Sequence, residues 1–217
     1  MKIKLVYGVG VNDVCKPTKF KAAPEDVSAR GRGKYVPCPY YDRWRTMLRR
    51  CYSREYQDRY PTYKGCTVCV EWLAFSNFRD WMIAQHWQVE KGEKALHLDK
   101  DLLFEGNKVY SPETCVFIEG KVNKFTIDSG NTRGDYWVGC YWDKRANKFK
   151  AQCCNLFTGK RDLGYFDTEL ETHLAWKKQK HLYSCELANS EYVTDERVRQ
   201  VLLHRYENYT IVEDHLK

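Results

Sequence analysis

The chain has 217 residues, of which 30% are charged and 43% apolar, a globular balance that excludes a disordered or fibrous protein. Aromatic residues reach 15%, with 7 Trp and 16 Tyr, and the formal net charge is +7. So many rings serve either an unusually heavy core or stacking surfaces, and the basic balance points to a polyanionic partner.

Residues 1–11 alternate weakly and end in Gly8 and Gly10, which predicts a short strand and a turn. Gly8-Val9-Gly10 is too short for a phosphate-binding fingerprint. Residues 12–37 mix Pro17, Pro24, Pro37, Gly31 and Gly33 with six cations, Lys16, Lys19, Lys21, Arg30, Arg32 and Lys34, and read as a basic arm rather than a packed element. Residues 40–55 predict a helix: Trp44, Leu48 and Cys51 or Tyr52 recur at helical spacing, with Arg43, Arg45, Arg49, Arg50 and Arg54 on the other face. Pro61 marks a loop. Ser76 is expected to cap a second helix carrying Phe78, Trp81, Met82 and Gln85.

Residues 96–118 read as two short extended pieces around Glu105-Gly106-Asn107, with a turn after Ser111-Pro112-Glu113. Residues 128–134 mark a domain boundary. Three strands are expected near 136–143, 147–154 and 161–166, joined by turns at Arg145-Ala146-Asn147 and Phe157-Thr158-Gly159-Lys160. Thr168 and Glu171 form a capping box that opens a helix to about Ala188, and a last helix starts at Thr194-Asp195. The expected class is α+β, in four parts: 1–35, 36–127, 128–188 and 189–217.

The charge is unevenly placed. Residues 136–161 hold Lys144, Arg145, Lys148, Lys150, Lys160 and Arg161 against Asp143 alone, a local excess of +5, whereas residues 162–217 total −4. In the central strand Phe149, Ala151 and Cys153 point one way and Lys148, Lys150 and Gln152 the other. One face therefore packs on the capped helix, expected through Leu170, Leu174 and Leu182. The other offers cations, an amide and Tyr141 to double-stranded DNA: Lys and Arg neutralise phosphates, and Gln and Arg can bridge base edges in the major groove.

The runs Gly139-Cys-Tyr-Trp-Asp-Lys-Arg-Ala-Asn-Lys-Phe-Lys-Ala-Gln152 and Leu163-Gly-Tyr-Phe-Asp-Thr168, with Ala175-Trp176, resemble the Apetala-type (ethylene-response-factor, ERF) DNA-binding domain. That resemblance implies a three-stranded antiparallel sheet on one helix, with the sheet entering the major groove. Val138 and Tyr141 stand near the places of that family's first-strand arginines, so its base preference does not carry over.

Residues 96–118, read with the upstream segments 38–52 and 68–82, resemble phage-encoded HNH-type proteins, many of them homing endonucleases with an ERF-like C-terminal domain. The resemblance implies a ββα nuclease site holding Mg²⁺ or another divalent cation. Asp99 falls at the ligand Asp, Lys100 at the general-base His, Asn107 at the central Asn, and Thr114 at the late His or Asn. An ammonium cannot accept a proton from water and opposes a nearby cation, and threonine is a poor ligand. On an extended strand His97, Asp99 and Asp101 share one face, which makes them an alternative set.

Cys66-x-x-Cys69 is half of a zinc site and no second pair follows at zinc spacing, so buried thiols are the simpler reading. His173, His181 and His204 lie on helices and read as core or surface residues. No run approaches the about 18 apolar residues of a membrane span, residues 1–13 do not read as a secretory signal, and ten cysteines then read as reduced thiols. The sequence thus predicts a double-stranded-DNA-binding protein in the cytoplasm of an infected bacterial host, with a degraded metal-nuclease site. Two alternatives stay open: an active nicking or homing endonuclease, and a phage protein that binds and inhibits a host enzyme.

Overall fold

A computed structural model of the protein describes residues 4–14, 18–21, 35–87, 96–127 and 135–207. Among these the fold is mixed α+β, with six α-helices, three two-stranded sheets and one three-stranded antiparallel sheet. The chain forms two compact units, Met1–Phe117 and Ile118–Lys217. The expected boundary at 128–134, residues 208–217, and Lys16, Arg30, Arg32 and Lys34 of the arm lie outside the described residues.

In the first unit part of the expected arm is a strand: β1 (Lys19–Lys21) pairs antiparallel with β2 (Tyr35–Pro37). Helix α1 (Pro39–Tyr52) begins on a proline, whose fixed φ and missing N–H suit a first turn, and buries Trp44, Met47, Leu48 and Cys51 along one side. Ser53 caps the short α2 (Arg54–Arg59). Helix α3 (Phe75–Ile83) follows β3 (Thr67–Val68) and is preceded by Ala74, so Ser76 is not its cap. The capping function comes from a distant residue instead. The Asp13 carboxylate accepts from the Ser76 backbone N–H and from its hydroxyl, satisfying an early amide of the helix.

Strand β3 runs parallel to β5 (Val109–Tyr110), and β4 (His97–Asp99) pairs with β6 (Val116–Ile118). Between these pieces Trp44, Trp72, Phe75, Phe78, Met82, Leu98 and Tyr110 form the core, and the Trp44 indole N–H donates to the Trp72 carbonyl at 2.7 Å. Gly10 lies so close to this core that a Cβ there would stand 2.4 Å from Leu48 Cδ1. Gly10 therefore serves close packing on α1, whereas Gly8 has open space beside it and takes a φ of 80°.

In the second unit α4 (Gly120–Thr126) precedes β7 (Cys140–Asp143), β8 (Lys148–Gln152) and β9 (Asp162–Phe166), which pair in that order. Helix α5 (Glu169–Ala188) carries the full Thr168/Glu171 capping box, and Asp195 caps α6 (Glu196–His204). The buried side of α5 is not the leucine side. Leu170, Leu174 and Leu182 are about half exposed, while Thr172, His173, Trp176, Ser184 and Leu187 are buried. Thr172 and Ser184 can take this face because their hydroxyls find acceptors. Thr172 Oγ1 donates to the Thr168 carbonyl, Ser184 Oγ donates to the Leu202 carbonyl, and His173 Nδ1 lies 3.0 Å from the Val138 carbonyl. The Lys180 ammonium donates to the Phe125 carbonyl at 2.7 Å and lies over the Phe125 ring, fastening α4 to α5. Among the described residues no helix is long and apolar enough to cross a membrane.

Candidate functional site

The three-stranded sheet presents one packed and one open face. Register places Trp142 beside Phe149 and Phe149 beside Phe166, with Ala151 and Cys153 buried on the same side. On the open side Tyr141, Lys150 and Tyr165 stand in one row across all three strands, and Lys148 and Gln152 flank the row along β8. The alternation expected for β8 is present. Tyr165 belongs to the same surface and was not among the expected residues, although the alternation of β9 places it there.

Two carboxylates from outside the basic window join this face. Lys150 pairs with Asp162 at 2.5 Å and Lys148 with Asp167 at 2.9 Å. The Tyr165 hydroxyl donates to Asp143 at 3.1 Å, and the Lys150 ammonium lies 5.2 Å from the Tyr165 ring centre. The face is therefore less basic than the linear count of +5. The hairpin ends keep their charge. Asp143 accepts from the Arg145 and Ala146 N–H groups and shapes the first turn, with Asn147 at φ 53°. These bonds, that of Ala146 first, hold its carboxyl below the usual range. Asn155 accepts from the Phe157 and Thr158 N–H groups and shapes the second turn. Lys144, Arg145, Lys160 and Arg161 are exposed at these ends and, among the described residues, have no carboxylate within 4.0 Å.

The second candidate is the loop after β4. Asp99 Oδ1 accepts from the N–H groups of Asp101 and Leu102 at 3.0 and 2.7 Å, which turns the chain and ends the strand. The common face expected for His97, Asp99 and Asp101 needs extended backbone through residue 101, and the strand stops at Asp99. Lys100 is only 5% exposed. Its ammonium donates to Asp101 and to the Asn107 carbonyl, each at 2.9 Å. Asn107 Nδ2 donates to the carbonyls of Lys100 and Val109, so this amide closes the loop rather than orienting a base. Thr114 Oγ1 donates to the Val109 carbonyl at 2.7 Å.

This donor set does not fit a divalent cation. An ammonium already holds Asp101, one Asp99 oxygen already serves two amides, and the Asn107 amide and Thr114 hydroxyl are used within the loop. Among the described residues no three His, Cys, Asp or Glu side chains gather as a metal site. Cys66 and Cys69 flank the extended residues of β3. Three residues of extended chain span about 10 Å, too far for the close thiol pair of a zinc knuckle. Cys66 is buried, as are Cys51, Cys115 and Cys153. Burial pushes the Cys51 and Cys115 thiols up to about 12.

Compared with protein-family models, curated proteins and solved structures, the chain matches none.

One pH effect follows from the loop. Burial first, and the Asp101 carboxylate second, raise the Asp99 pKa above its usual 3.8. The folded state then holds that proton to higher pH than the unfolded chain, so this group's contribution makes stability fall as pH rises from about 4 through the raised value. Asp99→Asn is expected to flatten that part of the slope and raise the melting temperature at neutral pH. Thermal melts from about pH 4 to 7 would show it, and an unchanged slope would remove Asp99 as its source.

Proposed function

We propose that the protein binds double-stranded DNA through the open face of β7–β8–β9, in the cytoplasm of an infected bacterial host, and that it descends from the phage HNH group with its nuclease site disarmed. The row Tyr141–Lys150–Tyr165, with Lys148 and Gln152 beside it and four cations at the hairpin ends, is the observation that carries the reading. Tyrosines and stacked cations suit sugar–phosphate contacts, and Gln152 suits a base edge. The order of three antiparallel strands followed by a capped helix is the one the ERF resemblance implies. In this reading the paired strands β4 and β6, with the Asn107 loop between them, take the part of the two strands that the HNH resemblance implies.

The lysines do not reach phosphate without a cost. Lys148 and Lys150 each leave an aspartate, so release of these two ion pairs opposes binding. The test is duplex affinity against salt. With about six phosphate contacts, affinity should fall roughly 10³-fold between 50 and 200 mM salt. Joint reversal of Arg145, Lys148 and Lys150 to glutamate should abolish binding. Asp162→Asn with Asp167→Asn should tighten it, by up to about fivefold for each pair released. Unchanged affinity in the triple reversal would move the DNA surface elsewhere.

A second reading, a protein partner on a host enzyme, is favoured by the half-exposed Leu170, Leu174 and Leu182 on one side of α5. Binding that ignores salt would support it over the first.

A further inference from the structure

We propose that α1 and α2 form a second seat for the phosphate backbone of duplex DNA, made by Arg49, Arg50 and Arg54 and braced by Tyr56 and Tyr63. The inference rests on the DNA-binding reading of the sheet, but a different surface carries it.

Residues 39–64 hold seven Lys or Arg and three Asp or Glu. Each acid is matched to one cation: Asp42 with Arg45 at 3.6 Å, Glu55 with Arg59 at 3.9 Å, and Asp58 with Lys64 at 3.7 Å. Arg43, Arg49, Arg50 and Arg54 are left over and, among the described residues, none has a carboxylate within 4.0 Å. Arg43 is turned inward, donating to the Leu96 carbonyl at 2.8 Å. Burial first, then the adjacent Arg50 charge, push its pKa down, against the opposing pull of Asp42.

The other three are differently held. The Arg49 guanidinium lies 4.5 Å from the Tyr56 ring centre and the Arg50 guanidinium 5.2 Å from that of Tyr63. The two rings are themselves 5.7 Å apart. The Nε–H of each arginine is buried and donates to no acceptor, so stacking on the two rings fixes the planes. Arg54, at the start of α2, is exposed. Stacked guanidiniums lose little freedom on binding and offer planar forks that match phosphate oxygens. A part-buried pair of cations without an anion is also a surface that gains from an incoming one. On the sheet, by contrast, Lys148 and Lys150 already have carboxylate partners.

The experiment measures fluorescence anisotropy of a labelled duplex with the full chain across about 50–200 mM NaCl. Each phosphate contact contributes about 0.9 to the slope of log affinity on log salt. Arg54→Gln, on an exposed residue, should lower the slope by about one. Arg49→Gln with Arg54→Gln should lower it by about two and weaken binding at least tenfold. Arg49→Lys with Arg50→Lys keeps the charge and loses the fork, so the slope should stay while affinity falls several-fold. Slopes unchanged in Arg54→Gln and in the glutamine pair, with melts like the wild type, overturn this seat. The sheet reading then still stands if the Arg145, Lys148 and Lys150 reversal abolishes binding. If that reversal binds normally and the arginine variants do not, the sheet reading fails and the seat stands. A wild-type chain with no salt-dependent duplex binding overturns both.

Discussion

Alanine at position 139 is expected to lower the melting temperature of the second unit by well over ten degrees. Gly139 sits at φ +81°, a conformation that costs a residue with a side chain about 1–2 kcal/mol. Its Cβ would also stand 2.1 Å from Trp176 Cγ and 2.2 Å from Cδ1. Overlap of that kind forces the indole or the strand to move, and overpacking costs about 1–3 kcal/mol more. A combined loss near 3 kcal/mol shifts the melting point of a unit this size by roughly 12–24 °C. The indole has little room to give, because Trp176 is buried, its ring stacks on His173, and His173 in turn meets Trp137. Thermal denaturation followed by near-ultraviolet circular dichroism measures the effect. Pairing Gly139→Ala with Trp176→Leu should recover part of the loss, since it removes the atoms in the way. A single variant that melts within about 3 °C of the wild type would mean that the glycine–indole contact does not hold the sheet on its helix.

That contact also shows what the sequence could and could not disclose. The apolar period of α1, the Thr168/Glu171 capping box and the alternation of β8 are local signals, and each places its element correctly. The side of α5 that packs is not a local signal. Leu170, Leu174 and Leu182 are the more hydrophobic choice, yet the fold buries Trp176 and His173 against the strands and supplies partners for Thr172 and Ser184. Hydrogen bonds from residues far along the chain make a polar face buriable, and no window of sequence contains them. The cap of α3 is a parallel case, since Asp13 serves Ser76 from 63 residues away.

The same limit applies to charge. Counting residues 136–161 leaves Asp162 and Asp167 just beyond the window, but cross-strand register brings both beside the lysines of β8. A linear excess becomes a patterned face of paired and unpaired ions. In α1 the reverse holds: the arginines were visible, whereas the tyrosines that fix two of them arrive from α2 and the turn after it. Asp99, Lys100, Asn107 and Thr114 do come together in one loop region. What each does there depends on hydrogen-bond partners that spacing does not reveal.

Supercoiled plasmid incubated with the protein and Mg²⁺ or Mn²⁺ is expected to remain uncut. Strand cleavage needs an acceptor for the proton of the attacking water and a cation at the leaving oxygen. Lys100 offers neither. Its ammonium is buried and donates to Asp101 and the Asn107 carbonyl, so its donors are spent within the loop. Asp99 is turned to the amides of Asp101 and Leu102, and Thr114 to the Val109 carbonyl. Loss of a general base alone costs about 10²–10⁴ in rate, and a poorly held metal adds to that. Lys100→His tests the remainder. If Lys100 is the only defect, the variant should nick plasmid in a metal-dependent way that Asp99→Ala then abolishes. The geometry predicts a smaller outcome: an imidazole would inherit a buried position facing Asn107, and the Thr114 hydroxyl would stay engaged, so Lys100→His should remain silent and lose stability. The loss arises because Asp101 and the Asn107 carbonyl give up their shared donor, at about 1–3 kcal/mol. Plasmid nicking and a thermal melt on the same preparations separate the cases. Robust cutting by the wild type, lost in Asp99→Ala, would establish an active endonuclease and overturn the reading of a disarmed site.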